Sequence, residues 1–201
     1  MNDLLLSILV HLQITFTGVL IAAVTGIIAG IVITKNKTVA AIVMSLTDIV
    51  QTIPSVALLA ILMMLFGLGD TTAVVALALY SLLPIVRNTY AGITGVDKGL
   101  IEAGRGMGMT KIQLLVKVQL PMALPVILSG LRMAIITALG IATIGVLIGA
   151  GGLGYFIYRG VQISDLTMIL KGAVPVSLLA VFVDLILQYS EKKMAKKAKR
   201  A

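Results

Sequence analysis

Residues 8–33 read ILVHLQITFTGVLIAAVTGIIAGIVI, a run with no Asp, Glu, Lys or Arg that is closed by Lys35 and Lys37. A helix needs about 20 apolar residues to cross the hydrocarbon of a bilayer, whereas a buried strand uses runs of about 4–8. Every backbone amide in hydrocarbon must be satisfied inside its own segment, and a helix does that. The run therefore predicts a membrane-spanning helix. The rest of the chain has the same character: of 201 residues, 59% are hydrophobic and 12% charged, against about 25% charged in a soluble domain. An all-α, polytopic helical bundle of one domain, residues 1–201, is the expectation. Met1-Asn2-Asp3 has neither the basic region nor the cleavage site of a signal peptide, so the first run is read as a retained helix. With no cysteine there is no disulfide, and the redox compartment stays open.

Four more spans are expected, at about 39–66, 71–91, 123–148 and 169–189. The second holds Asp48 and Gln51, and Pro54 lacks the amide that would continue the helical ladder. It is read as one kinked span, or as a short inner helix feeding a shorter span. Five spans put the chain ends on opposite sides. With the N-terminus outside, the inner segments hold Lys35, Lys37, Arg87, Lys98, Arg105, Lys111, Lys117 and the six basic residues of the tail 190–201, while the outer ones hold only Arg159 and Lys171. By the positive-inside rule that bias sets the tail and the 95–121 loop in the cytoplasm. The net charge of +8 comes largely from this tail. A tail of this kind suits anionic headgroups, whereas a nucleic-acid binder needs a basic face on a soluble scaffold. The expected location is the cell membrane, multi-pass, with no nucleic-acid partner.

The loop at about 95–121 is too long for a simple connection between helices. It reads as a short helix, a glycine-rich turn around Gly104, Gly106 and Gly108, and a second helix from Lys111 whose Ile112, Leu115, Val116 and Val118 form an apolar face, ended by Pro121. An amphipathic helix this short is marginal alone and needs a partner; lying on the lipid surface is the alternative. Glu102-Ala103-Gly104, Gly108 four positions on, and Val118-Gln119-Leu120-Pro121 nine residues later resemble the EAA loop (E-A-A-x3-G-x9-I-x-L-P) of binding-protein-dependent ABC importer permeases. Gly104 stands for the second alanine and Val118 for the isoleucine. The resemblance implies a type I ABC importer permease fold. It implies a coupling loop that docks in a groove of an ATP-binding subunit, Glu102 making polar contact and Gly108 allowing the turn. The partners it implies are a second permease subunit, same chain or paralogue, two ATP-binding subunits and a substrate-binding protein. ATP and Mg would sit on the partner ATPase, with no cofactor in this chain.

The stretches Gln51-Thr52-Ile53-Pro54-Ser55, Leu83 to Thr89, Glu102 to Met109, and Ile148 to Gly154 with Arg159-Gly160 are similar to the osmoprotectant branch, the glycine betaine, carnitine and choline permeases. Methionine importer permeases share the five-span plan and are the alternative. No Walker A sequence is present, so a separate ATPase is implied. A secondary transporter would need a coupling-ion site and usually an internal repeat, and no repeat is evident; a membrane enzyme lacks a catalytic constellation.

Gly149, Gly151 and Gly154 match G-x-G-x-x-G but follow a membrane span, not a strand, so nucleotide binding is set aside. With Gly152 they are read as a flexible outer turn or re-entrant segment near a gate, and Gln51, Pro54 and Asn88 as further gate or pathway candidates. His11, the only histidine, has no cysteine to help it, which leaves neither a metal site nor a catalytic triad; an interfacial position is expected. Asp48, Arg132 and Asp184 are charges within apolar spans, costly at mid-membrane. Arg132 is expected to pair with one of the aspartates or to snorkel inward, with a proton relay as the alternative. Gly26 with Gly30, and Gly145 with Gly149, are small-xxx-small pairs suited to close helix packing. Aromatics cluster only at Tyr155, Phe156 and Tyr158, too few for a quaternary-ammonium cage, so selectivity is expected mainly in the binding protein.

Overall fold

The computed structural model describes residues 2–198; Lys199 and Arg200 of the basic tail lie outside the described residues. The helices are α1 (Asn2–Ile33), α2 (Lys37–Thr52), α3 (Ser55–Phe66), α4 (Asp70–Thr94), α5 (Lys98–Gly106), α6 (Lys111–Leu114), α7 (Leu120–Ala142), α8 (Gly154–Gln162) and α9 (Leu166–Ala198). A π turn, Leu115–Gln119, joins α6 to α7, and a 3-10 segment, Thr143–Ile148, follows α7. Four helical runs are long and apolar enough to cross a membrane, or five if α2 and α3 form one broken span.

The bundle is organised around α4, thirteen of whose 25 residues are buried, with α1 and α7 against it and α9 outside α7. Small residues set these crossings. A β-carbon on Gly30 would lie 2.6 Å from that of Thr89, and one on Gly130 would lie 2.6 Å from that of Asn88. Gly26 likewise faces Ile85, so the Gly26–Gly30 pair packs α1 onto α4 inside the chain. Gly145 and Gly149 form no such face: Gly149 ends the 3-10 segment in the left-handed conformation, at φ +75°. Outward, Leu20, Phe182, Leu178 and Met64 are more than half exposed, the inverse of a water-soluble core and what a lipid-facing surface requires.

The second span takes the second of its two expected forms, a short helix feeding a shorter one: α2 and α3 meet at 99° across Ile53-Pro54, because Pro54 cannot donate and cannot extend the helix before it. Two boundaries differ from expectation. The elbow helix does not stop at Pro121, since Lys111–Ile148 is one continuous run. Leu120 N–H bonds to the Leu115 carbonyl, so the wider π turn absorbs the bond that Pro121 cannot make. The tail is not separate from the last span, because α9 runs as helix to Ala198 through a Lys- and Ala-rich sequence that favours it.

Candidate functional site

The elbow at one end of the bundle is assembled from local signals. The Asp97 carboxylate caps α5, accepting from Gly99 N–H at 2.8 Å and Leu100 N–H at 3.2 Å. Gly108 then turns the chain at φ +76°, a conformation costly for any residue with a β-carbon. Thr110 and Gln113 form a reciprocal capping box that starts α6. Gly104 is buried where α5 meets α6: a β-carbon there would sit 2.7 Å from Cδ1 of Leu114. Glu102, Ala103, Gly108 and Pro121 are exposed, whereas Val118 and Leu120 are half-buried. Leu115 and Leu120 pack on the cluster of Ile93, Ala123 and Ile127, which seats the elbow on α4 and α7.

The expected apolar face of the second elbow helix is split. Leu114, outside the expected face, is the buried residue, while Ile112 is 75% exposed and Val116 55%. Met107 in the turn is 71% exposed. Within α6 it is Leu114, against Gly104 of α5, that faces inward; the π turn shifts only the residues after Leu114 by one position relative to a regular α-helix. The outer surface of the elbow thus presents apolar side chains beside Glu102, with Lys98, Arg105, Lys111 and Lys117 in no ion pair among the described residues. Such a surface suits a protein partner.

Within the bundle, the break between α2 and α3 is bound to α4. Pro84 has no amide to give the Tyr80 carbonyl, and Gln51 Nε2 donates to that oxygen at 2.9 Å. The Tyr80 hydroxyl donates to the Ile53 carbonyl at the bend. Asn88 Nδ2 donates to the Pro84 carbonyl at 2.7 Å. The structure thus places Gln51 and the Ile53-Pro54 bend against Tyr80 of α4, while Asn88 lies about two turns further along α4 and faces Gly130 of α7; sequence reasoning missed Tyr80 although its position four residues before Pro84 marks an orphaned carbonyl.

The intramembrane charges are all paired. Arg132 Nε donates to Asp184 at 2.5 Å and its Nη1 lies 3.4 Å from Glu191. Asp48 pairs instead with Arg87 at 2.6 Å, both about half exposed. Glu191, seven residues after Asp184 and so on the same flank of α9, was not among the expected partners.

At the opposite end, Gly149–Gly154 is strapped at its stem. Asp70, another residue not singled out, accepts from Gly151 N–H at 2.7 Å, and Gly69 N–H donates to the Ile148 carbonyl at 2.8 Å. Gly152, at φ +108°, lies against His11. His11 itself is fully buried, its Nε2 3.1 Å from the Leu139 carbonyl. It packs between α1 and α7, with the glycine segment folded over it. Tyr155 and Phe156 pack edge to face at 5.6 Å.

Residues 6–196 match the family model described as "Binding-protein-dependent transport system inner membrane component". The chain is 46% identical to the glycine betaine/carnitine/choline transport system permease protein OpuCD of Bacillus subtilis (strain 168), over 92% of this chain and 81% of that one. It is 47% identical to the choline transport system permease protein OpuBD of the same strain, over 92% and 82%. Among solved structures it is similar to an inward-facing MetNI methionine ABC transporter, with TM-score 0.82 and 27% identity over 98% of this chain and 97% of that one.

Proposed function

The chain belongs to the binding-protein-dependent transport system inner membrane component family, and on that premise we propose that it is the permease subunit of an ATP-driven importer of quaternary ammonium osmoprotectants. The observation that carries the substrate class is the 46% identity, over nearly the whole chain, to a permease named for glycine betaine, carnitine and choline. The methionine-type reading rests on a likeness at 27% identity and ranks behind it.

Concentrating a solute a thousandfold costs about 4 kcal/mol. In this reading the energy enters through two ATP-binding subunits that hold ATP and Mg. They engage the elbow through Glu102 and the exposed Met107 and Ile112. Two permease subunits, this chain twice or this chain with a paralogue, enclose the pathway. A binding protein delivers solute at the opposite end, where Gly149, Gly151, Gly152 and Gly154 form part of the gate. Gln51 and Pro54 act where the broken span meets α4, and Asn88 where α4 meets α7. The elbow lies in the cytoplasm with the C-terminus, and the N-terminus lies outside.

Labelled betaine, carnitine, choline and methionine are offered to cells lacking only this gene. Loss of uptake of at least one quaternary ammonium compound, restored by the gene, is expected; loss confined to methionine would reassign the substrate. Because the chain has no cysteine, single cysteines at Glu102 and Gly151 report topology directly. Labelling of position 102 from the outside would remove the coupling role.

A further inference from the structure

Beside the elbow, a crevice of about 460 Å³ opens between the end of α1 and the start of the α6–α7 run, lined by Ile31, Thr34, Lys35, Lys111, Leu115 and Gln119. Lys35 and Lys111 both line it, and neither has a carboxylate partner: the ion pairs among the described residues use Arg87 and Arg132. No Asp or Glu lines the crevice. Two unpaired cations beside one crevice make it attractive to an anion.

The position says which anion. α1 ends at Ile33, so Lys35 stands two residues beyond a membrane-spanning helix, at headgroup depth. Ile31 and Leu115 give the crevice an apolar side. Ile28, three residues before Ile31 and so on the same flank of α1, is 57% exposed, and extends that apolar side toward the hydrocarbon. Lys111 is held at the first position of α6 by the Thr110–Gln113 capping box, and Gln119 adds an amide donor. Cationic heads at the membrane border above an apolar wall match an anionic phospholipid, whose phosphate and acyl chains meet both features at once.

We propose that the crevice between the end of α1 and the start of α6 binds an anionic phospholipid, its phosphate between Lys35 and Lys111 and an acyl chain along Ile31 and Ile28. The site needs only the membrane placement of the bundle; Lys111 also belongs to the elbow surface described above, so the test separates a lipid contact from a protein contact.

The test uses the full chain in phosphatidylcholine nanodiscs doped with spin-labelled phosphatidylglycerol. Preference for phosphatidylglycerol is compared for wild type, a Lys35→Gln/Lys111→Gln variant, a Lys35→Arg/Lys111→Arg variant, and a tail control, Lys192→Gln/Lys193→Gln. The glutamine pair is expected to lose about tenfold or more of that preference, with the arginine pair near wild type and the tail control, whose lysines add only a general surface attraction, losing clearly less. An unchanged preference in the glutamine pair, or an equal loss in the tail control, overturns the proposal. So does displacement of the label by inorganic phosphate as effective as by unlabelled phosphatidylglycerol, which would make this a site for free oxyanions. Unchanged lipid preference with loss of a co-purifying ATP-binding subunit assigns the lysines to a protein contact and likewise overturns it.

Discussion

The Gln51 side chain donates to the Tyr80 carbonyl at 2.9 Å, the one oxygen of α4 that Pro84 leaves without a helical donor. A proline in one helix and a break in another thus answer each other: the orphaned acceptor is satisfied from the end of α2, and the Tyr80 hydroxyl donates back to Ile53 at the bend. Leaving a part-buried acceptor without its donor costs about 1–3 kcal/mol. Gln51→Leu is therefore expected to destabilise by that amount, read from unfolding in detergent. In a Pro84→Ala background the new amide supplies the Tyr80 carbonyl, and the same substitution should cost less than half as much. Additive effects in the two backgrounds would show that the bond does not serve this purpose.

The two elbow glycines should respond differently to alanine. Gly108 is at φ +76° with no neighbour within 4 Å of a β-carbon, so Gly108→Ala meets only backbone strain of about 1–2 kcal/mol, and Gly108→Asn less. Gly104→Ala meets the mobile end of Leu114 at 2.7 Å and should be tolerated, whereas Gly104→Leu should pry α5 from α6. Thermal midpoints of the four variants give the order directly.

Glu102 is exposed and has no ion-pair partner among the described residues. Glu102→Lys should therefore leave folding and membrane insertion at wild-type levels while abolishing uptake, with ATP hydrolysis by the complex no longer stimulated by loaded binding protein. Wild-type uptake in this variant would end the coupling role proposed for it.

Arg132 faces two carboxylates, so the two sides of the pair are unequal. Arg132→Leu leaves both Asp184 and Glu191 without their partner, Asp184 within an apolar span, and should lower the amount of folded protein several-fold. Asp184→Asn leaves Arg132 with Glu191 and should be milder. The reverse order in membrane-extracted yield would show that Asp184 matters through something other than this contact.

The segment 149–154 offers a contrast of sterics. A β-carbon on Gly154 would lie 2.0 Å from the Thr143 carbonyl oxygen, which is backbone and cannot yield, whereas on Gly149 nothing lies closer than 3.9 Å. Gly154→Ala should cost about 1–3 kcal/mol or more through overpacking, and Gly149→Ala about 1–2 kcal/mol through its left-handed conformation alone. Equal midpoints for the two would contradict the packing described.

Much of the elbow was readable because its signals are local. Gly108 between two helical stretches acts over a few residues, and so does the Thr110–Gln113 box, which the structure added. The π turn was not readable: Pro121 signals a helix end unless the preceding turn widens, and the Leu115 carbonyl decides that through its bond to Leu120. The burial of His11 was not readable for a different reason: the residue that covers it, Gly152, lies far along the chain.

Hydropathy summed along consecutive residues was enough to determine that this chain crosses a membrane as helices, while Pro54 marked the interruption of the second span and glycines with apolar periodicity marked the elbow. Only the tertiary structure decided that Arg132 takes Asp184 across 52 residues and Asp48 takes Arg87 across 39, and that Asp70 holds Gly151. The spans are set by transfer of each segment into lipid, a property each segment carries by itself. The pairings depend on how helices rotate and cross, and the close contacts at Gly30 and Gly130 settle that only after distant parts of the chain have met.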